Sequence, residues 1–385
     1  MERPRVIHLI TRFIRGGAQL AVFQLAKNLP LFGYDVLIAT GPERGKEGDL
    51  FTDAEREGIP VTIISSLRRD VSPLYDISAL LEIINLLRKN KPTILHAHTS
   101  KAGFLGRIAG RLCRVPVIIY QPRGHIFDGY FSPLKTKFFR LLEKMALRMC
   151  DAFVCLTEEE RNDWKRYGFI HPNMIVIPSG VDIERFEKPS QNPLILRGKL
   201  GIREKEKVIG FIGRLAPVKG AKFLLQAGKI LSRKFENIAL LVVGDGKERG
   251  DLERLARELE IKAIFLGHKE DVVDFYHICD LIAVPSLNEG MGRVIIEAWS
   301  AGKAVVGSAV GGIKELIDDG ETGLLVPPAN PSSLAAAIER LLINEDLREK
   351  LGKKGKEKAR FYSVSAMVNK TVKLYESLAF RKRRK

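Results

Sequence analysis

Cysteine is scarce in this chain of 385 residues. The four that occur, Cys113, Cys150, Cys155 and Cys279, make no C-x-x-C pair and no ligand cluster with histidine. That excludes a disulfide framework and a structural zinc site as organising features. Long apolar runs are also missing: none approaches the roughly 18 residues that cross a bilayer. The stretch from Met1 to Ile10 lacks the longer apolar core and small-residue cleavage site of a secretory signal, so the expectation is a cytoplasmic protein. No G-x-G-x-x-G follows either of the strands that open the two alternating series below, which argues against a nicotinamide dehydrogenase. No D-x-D occurs, so an acidic pair that would hold Mg²⁺ or Mn²⁺ on a phosphorylated ligand is lacking. The expectation is therefore no metal and no cofactor.

What the chain has in excess is positive charge, +17 net, on a composition that is 45% hydrophobic and 28% charged, that of a globular protein. The charge is clustered. Residues 101–150 hold ten Lys/Arg against two Asp/Glu, and residues 350–385 hold thirteen against two. Clusters of this kind imply an anionic partner: a lipid surface, a nucleic acid or a phosphorylated substrate. A nucleic-acid partner would ask for aromatics interleaved with the basic residues, and the C-terminal cluster has few beyond Phe380. The segment 132–150 reads as a basic amphipathic helix. Lys137, Arg140, Lys144 and Arg148 share one stripe at helical spacing, with Phe138, Leu142, Met145 and Met149 on the opposite one. Such a helix suits an anionic membrane surface, or it is core-packed with a solvated face.

Short apolar strands alternate with helical patterns in two series, Val6–Ile10 to Ala152–Leu156 and Val208–Ile212 to Pro331–Leu342. Between them, Pro178, Pro189 and Pro193 with Ser190, Gln191 and Asn192 make an aperiodic stretch that reads as a linker near 185–200. This is an α/β pattern of two doubly wound, Rossmann-like parallel-sheet domains. Ligands in such sheets bind beyond the carboxyl ends of strands, and a cleft between two such domains is the default site.

The loops after strands carry the chemistry. Thr11–Gln19 contains Gly16-Gly17 ahead of a helix, a pair that lets backbone N–H groups approach an anion. Gly213-Arg214 and Lys219-Gly220 follow the strand Val208–Ile212, and a guanidinium and an ammonium suit a diphosphate. Pro285-Ser-Leu-Asn-Glu289-Gly290-Met291-Gly292 leads into a helix bearing Glu297, whose part-apolar setting calls for a partner.

Taken together, Gly213-Arg-Leu, Lys219-Gly220, Val243-Gly244-Asp-Gly246 and Glu289-x₇-Glu297 resemble family 4 of the retaining glycosyltransferases, with the GT-B fold. The likeness runs through Gly16-Gly17, His96-Ala-His98-Thr-Ser-Lys101-Ala-Gly103, Pro178-Ser-Gly-Val-Asp182 and Glu321-Thr-Gly-Leu-Leu-Val-Pro327. The resemblance implies an acceptor domain over 1–185, a nucleotide-sugar domain over 186–360, and a last helix over 361–385 that returns to the first domain. It implies that Arg214 and Lys219 hold the donor diphosphate and that Glu289 accepts hydrogen bonds from the donor sugar. Glu297 is then the ribose residue, and Gly16, Gly17, Gly213, Gly244, Gly290, Met291 and Gly292 line the donor. His98 and Lys101 are candidate residues of the acceptor pocket.

At one point the chain departs from the family. Relatives read Pro-His-Gly-His near the reacting sugar, where this chain has Pro122-Arg123-Gly124-His125. Three outcomes are open: Arg123 supplies the charge, His125 turns inward, or activity is lost. Gly124-His-Ile-Phe-Asp-Gly-Tyr130 is similar to a pattern of envelope and capsule polysaccharide enzymes. The implied function is transfer of a hexose-type sugar from a nucleotide diphosphate, UDP above all, to a lipid-linked or saccharide acceptor. A sugar-nucleotide epimerase is the alternative on the same fold. A returning last helix would place residues 361–385 beside 132–150, so that both basic clusters rest on anionic lipid at the inner face of the cytoplasmic membrane.

Overall fold

The computed structural model describes residues 3–42, 48–123 and 133–383. Two units form: residues 1–180 with 364–385, and residues 181–363. The chain therefore passes between units at 363/364 and at 180/181, a few residues ahead of the linker expected near 185–200. That stretch folds instead, because Asp182 and Asn192 accept hydrogen bonds at the starts of two short helices and Pro193 occupies a first turn.

The first unit is a seven-stranded parallel sheet ordered β3-β2-β1-β4-β5-β6-β7. Its strands are β1 (Arg5–Ile10), β2 (Asp35–Thr40), β3 (Val61–Ile63), β4 (Ile94–His98), β5 (Val117–Gln121), β6 (Ala152–Cys155) and β7 (Met174–Val176). The central strands are buried on both faces and so read as unbroken apolar runs. The helices are α1 (Gly17–Asn28), α2 (Phe51–Arg56), α3 (Pro73–Asn90), α4 (Ser100–Leu112), α5 (Pro133–Leu147) and α6 (Glu158–Arg166). Strand alternation divides the core. Val6 and Ile10 pack with α1, and Ile7 and Leu9 pack with α3 and α4.

The second unit repeats the plan with six parallel strands ordered β10-β9-β8-β11-β12-β13. These are β8 (Lys207–Ile212), β9 (Ile238–Val243), β10 (Ala263–Gly267), β11 (Leu281–Val284), β12 (Ala304–Ser308) and β13 (Leu324–Val326). Its helices are α7 (Ile183–Phe186), α8 (Pro193–Lys199), α9 (Ala221–Ser232), α10 (Arg249–Glu258), α11 (Val273–Ile278), α12 (Arg293–Ser300), α13 (Gly311–Leu316), α14 (Pro331–Ile343) and α15 (Glu345–Ala359). Helix α15 carries little apolar sequence because close approach replaces it: a Cβ on Gly352 would meet the Gly302 carbonyl at 2.2 Å, and one on Gly355 the Trp299 ring at 2.2 Å.

The last helix, α16 (Val364–Arg383), belongs to the first unit, where Met367, Val368, Val372, Tyr375 and Leu378 share a core with α1. Helix α5 lies on the other side of that sheet: its Leu147 packs in the core of α3 and α4. The sheet thus separates α16 from α5, and the expected shared basic face does not form. The apolar stripe of α5 also differs from the expectation. Helix α5 is pinned inward by a buried ion pair between Arg107 and Glu143 at 2.7 Å. Leu134, Phe138, Leu141 and Met145 face outward, 81%, 57%, 57% and 62% exposed. Lys137, Lys144 and Arg148 are exposed too, although Arg148 lies beyond the helix end. Arg140 is partly buried, donating to the Tyr167 carbonyl at 3.2 Å with its guanidinium over the Tyr167 ring.

Candidate active site

Both sheets reverse their strand order once, between β1 and β4 and between β8 and β11. Those switch points are where an open α/β sheet leaves room for a ligand beyond its carboxyl edge.

In the second unit the loops after β8 and β11 meet there. The Leu287 amide donates to the Val218 carbonyl at 2.8 Å, and a Cβ on Gly220 would strike the Pro285 carbonyl at 2.1 Å. This contact brings together two residues 70 apart in sequence: Lys219 forms an ion pair with Glu289, both partly buried. Arg214, on the same β8 loop, has an exposed side chain. Gly213 and Gly244 stand at the ends of adjacent strands with φ of 154° and 139°. A side chain on Gly244 would sit 2.0 Å from the Gly213 carbonyl, so only glycine lets these strand ends close up.

Gly292, at φ 84°, caps α12. One turn inside, Glu297 accepts a hydrogen bond from Tyr276 Oη at 2.7 Å and lies 3.6 Å from the Arg293 guanidinium. Burial first, then the Glu297 charge, push the Tyr276 hydroxyl well above its ordinary pKa, so it stays a proton donor. Tyr276 had no signal in sequence: it sits on the six-residue α11, too short for periodicity to show. A glycine pair that is visible in the sequence also shapes this site. Gly311-Gly312, at the start of α13, seat the Glu289 loop. The Gly312 amide donates to the Glu289 carbonyl at 2.8 Å, and a Cβ on Gly312 would meet the Gly290 carbonyl at 2.4 Å. Met291, the next residue after Gly290, is buried.

In the first unit α1 starts at Gly17 behind Gly16, with no capping side chain and no acid in its first turn. Such an end suits an anion. Beside it, three histidines converge on the switch point: His8 from β1, and His96 and His98 from β4, all fully buried. His8 Nδ1 and His98 Nε2 are 3.0 Å apart, and His96 Nδ1 is 2.9 Å from Tyr375 Oη of α16. Arg123, just beyond β5, donates to Ser179 Oγ at 2.7 Å and reaches His98 Nδ1 at 3.4 Å. Burial, helped by the Arg123 charge, lowers the His8 pKa to about 3 and holds His96 and His98 well below the ordinary imidazole value.

The ring nitrogens of the three histidines lie within 4.8 Å of one another, close enough to be tested as a metal site. They do not suit one. A guanidinium can only donate, so His98 Nδ1 accepts and the ring proton sits on Nε2, which is then no ligand.

His98 is a buried neighbour of Arg123. Lys101 is committed elsewhere. Its ammonium pairs with Asp76 of α3 at 2.6 Å and donates to the Asp70 carbonyl. His125 and Gly124 lie outside the described residues.

Two family models cover most of the chain: Glycosyltransferase Family 4 over residues 15–185 and Glycosyl transferases group 1 over residues 194–358. A D-inositol 3-phosphate glycosyltransferase of Corynebacterium jeikeium is 32% identical over 74% of this chain and 72% of its own length. A UDP-Gal:alpha-D-GlcNAc-diphosphoundecaprenol alpha-1,3-galactosyltransferase of Escherichia coli is 28% identical over 88% of both chains. Among solved structures, Anabaena HepE in complex with UDP superposes with a TM-score of 0.84 at 23% identity, covering 97% of this chain and 100% of that one. The chain belongs to the glycosyltransferases, and its fold is GT-B.

Proposed function

We propose that this glycosyltransferase moves a hexose-type sugar from a UDP-sugar to a lipid-linked or saccharide acceptor in cell-envelope polysaccharide synthesis, with retention of anomeric configuration and without a metal, as a family 4 enzyme. The observation that carries the reading is the meeting of the β8 and β11 loops at their switch point, which sets Lys219 against Glu289, with Arg214 exposed on the same β8 loop. In this reading Arg214 and Lys219 hold the donor diphosphate. Their charge offsets the negative charge that develops as the bond from the anomeric carbon to the diphosphate breaks. Glu289 accepts hydrogen bonds from the donor sugar, and Glu297, braced by Tyr276, accepts from the ribose. The acceptor hydroxyl forms the new bond on the face the diphosphate leaves, and its proton goes to the departing phosphate oxygens. In the first unit the open start of α1 at Gly16-Gly17 takes an anionic group. Arg123 supplies a fixed positive charge where relatives have histidine.

The acceptor chemistry rests on the relatives, one of which is named for a diphosphoundecaprenol substrate. Among the described residues no helix is long and apolar enough to cross a membrane. The outward stripe of Leu134, Phe138, Leu141 and Met145, flanked by Lys137, Lys144 and Arg148, suits shallow insertion into an anionic membrane, and in this reading the protein sits peripherally on the inner face of the cytoplasmic membrane.

The test is UDP release from UDP-glucose, UDP-galactose and UDP-N-acetylglucosamine in EDTA, with a GlcNAc-diphosphopolyprenol as acceptor and NMR of the product. One donor consumed only with acceptor present, giving an α-linked product, is expected. Release that needs added Mg²⁺ or Mn²⁺, or a product of inverted configuration, overturns the mechanism.

A further inference from the structure

The histidine cluster of the first unit has a direction built into it. Arginine has five N–H donors and no acceptor. Its approach to His98 Nδ1 at 3.4 Å therefore makes that nitrogen the acceptor. A neutral His98 then carries its proton on Nε2 and donates it to His8 Nδ1 at 3.0 Å, which in turn puts the His8 proton on Nε2. His96 lies against His98 with ring centroids 4.1 Å apart and an interplanar angle of 30°, and is held from behind by Tyr375 Oη. The rim above this cluster is strained. Arg123 stands at φ 63° and Thr99, directly after His98, at φ 65°, the left-handed region that a β-branched residue rarely enters. Thr99 is held there by Thr11 of the β1 loop, Oγ1 to Oγ1 at 2.8 Å. Conformations of this kind persist where the surroundings over-determine them, and they gather at functional sites.

We propose that His98 and His8, braced by His96 and Tyr375, are positioning residues for Arg123: a one-way chain of hydrogen bonds that fixes the guanidinium at the first unit's switch point. The inference rests on the reading of Arg123 given above. Arg123 is tied at both ends of its fork, to Ser179 and to His98, so its plane is set before any substrate arrives. The histidines stay neutral, since a second positive charge under the guanidinium would repel it. The histidine cluster also ties α16 to the first unit's switch point. Tyr375 reaches the cluster from a helix 279 residues away in sequence from His96.

Two measurements test this on the full-length protein. Long-range ¹H–¹⁵N correlation with labelled histidine, assigned through single variants, reads the tautomers directly. His98 and His8 are expected as Nε2–H. His98 found as Nδ1–H overturns the proposal, because a protonated Nδ1 cannot accept from Arg123.

The second measurement is turnover of the UDP-sugar used fastest in the donor panel. Arg123→Ala should lower kcat at least tenfold with donor KM within about threefold. His98→Leu should lower it to within about threefold of Arg123→Ala, and the double variant should be no slower than Arg123→Ala alone. His98→Asn, whose amide oxygen replaces the Nδ1 acceptor, should recover at least a third of the activity. Multiplying losses in the double variant, or no rescue by asparagine, would make His98 a packing residue only and leave Arg123 as assigned. Full activity in Arg123→Ala would end the reading of Arg123 itself and the positioning role with it.

Discussion

The Tyr276 hydroxyl donates to Glu297 Oε2 at 2.7 Å, and Tyr276 is fully buried. The carboxylate is thereby aimed by a buried hydroxyl from a neighbouring helix. Tyr276→Phe removes one hydrogen bond to a charged acceptor, worth about 1.5–3 kcal/mol. The expected outcome is donor affinity weaker by roughly tenfold with little change in kcat, read by calorimetric titration with the UDP-sugar. Unchanged affinity would detach Glu297 from the donor.

Close approach of strand ends predicts a contrast between two glycines. Gly244→Ala puts a methyl group 2.0 Å from the Gly213 carbonyl at φ 139° and should lower the unfolding midpoint by several degrees while removing nucleotide binding. Gly250, in the first turn of α10, meets nothing within 4 Å. Gly250→Ala should be neutral or stabilising by about 0.5–1 kcal/mol. Differential scanning calorimetry on both variants checks the pair.

The buried histidines make stability depend on pH with a definite sign. Their folded-state pKa values are depressed, His8 from 6.5 to about 3. Below pH 6.5 the unfolded chain takes up protons that the folded rings refuse. Their contribution is therefore intact above 6.5 and lost progressively as pH falls toward 3. Each ring contributes a slope of about 1.4 kcal/mol per pH unit below its unfolded pKa. Urea denaturation at pH 7 and pH 5.5 should show the loss, and His8→Phe should flatten it; equal slopes in the two proteins would contradict neutral burial.

The outward stripe of α5 predicts membrane binding that depends on apolar residues as well as charge. Phe138→Asp with Leu141→Asp should abolish sedimentation with phosphatidylglycerol vesicles while leaving nucleotide binding intact, since both side chains are more than half exposed. Binding that survives this change would move the membrane face elsewhere.

Much of this architecture was legible in sequence because buried parallel strands write themselves as apolar runs: Val6–Ile10, Val117–Tyr120 and Leu281–Val284 lie within or coincide with the strands that form. The edge strands β3 and β7 were not legible, being three residues long and only partly buried. Helix α15 hid because glycine, not leucine, makes its contacts. Glycine-rich loops with Arg214, Lys219 and Glu289 are visible from residue type and spacing, their roles only through the family resemblance, whereas the partners that brace the first unit are not visible. The link between His96 and Tyr375 depends on α16 returning to the first sheet, and the helical stripe of α5 carried no mark of which side faces inward. Glu143, the residue that decides it, reads as one more charge until it meets the buried Arg107.

The proposed function requires that the second unit's switch point hold a nucleotide diphosphate on cationic side chains. It is tested most directly by thermal stabilisation with UDP, GDP, ADP and CDP in EDTA, beside Arg214→Ala and Glu297→Ala. Binding to the folded state raises the midpoint by linkage. UDP is expected to give the largest shift without metal, and both variants to lose it. No shift from any nucleotide in EDTA, or a shift that both variants keep, would contradict the proposal.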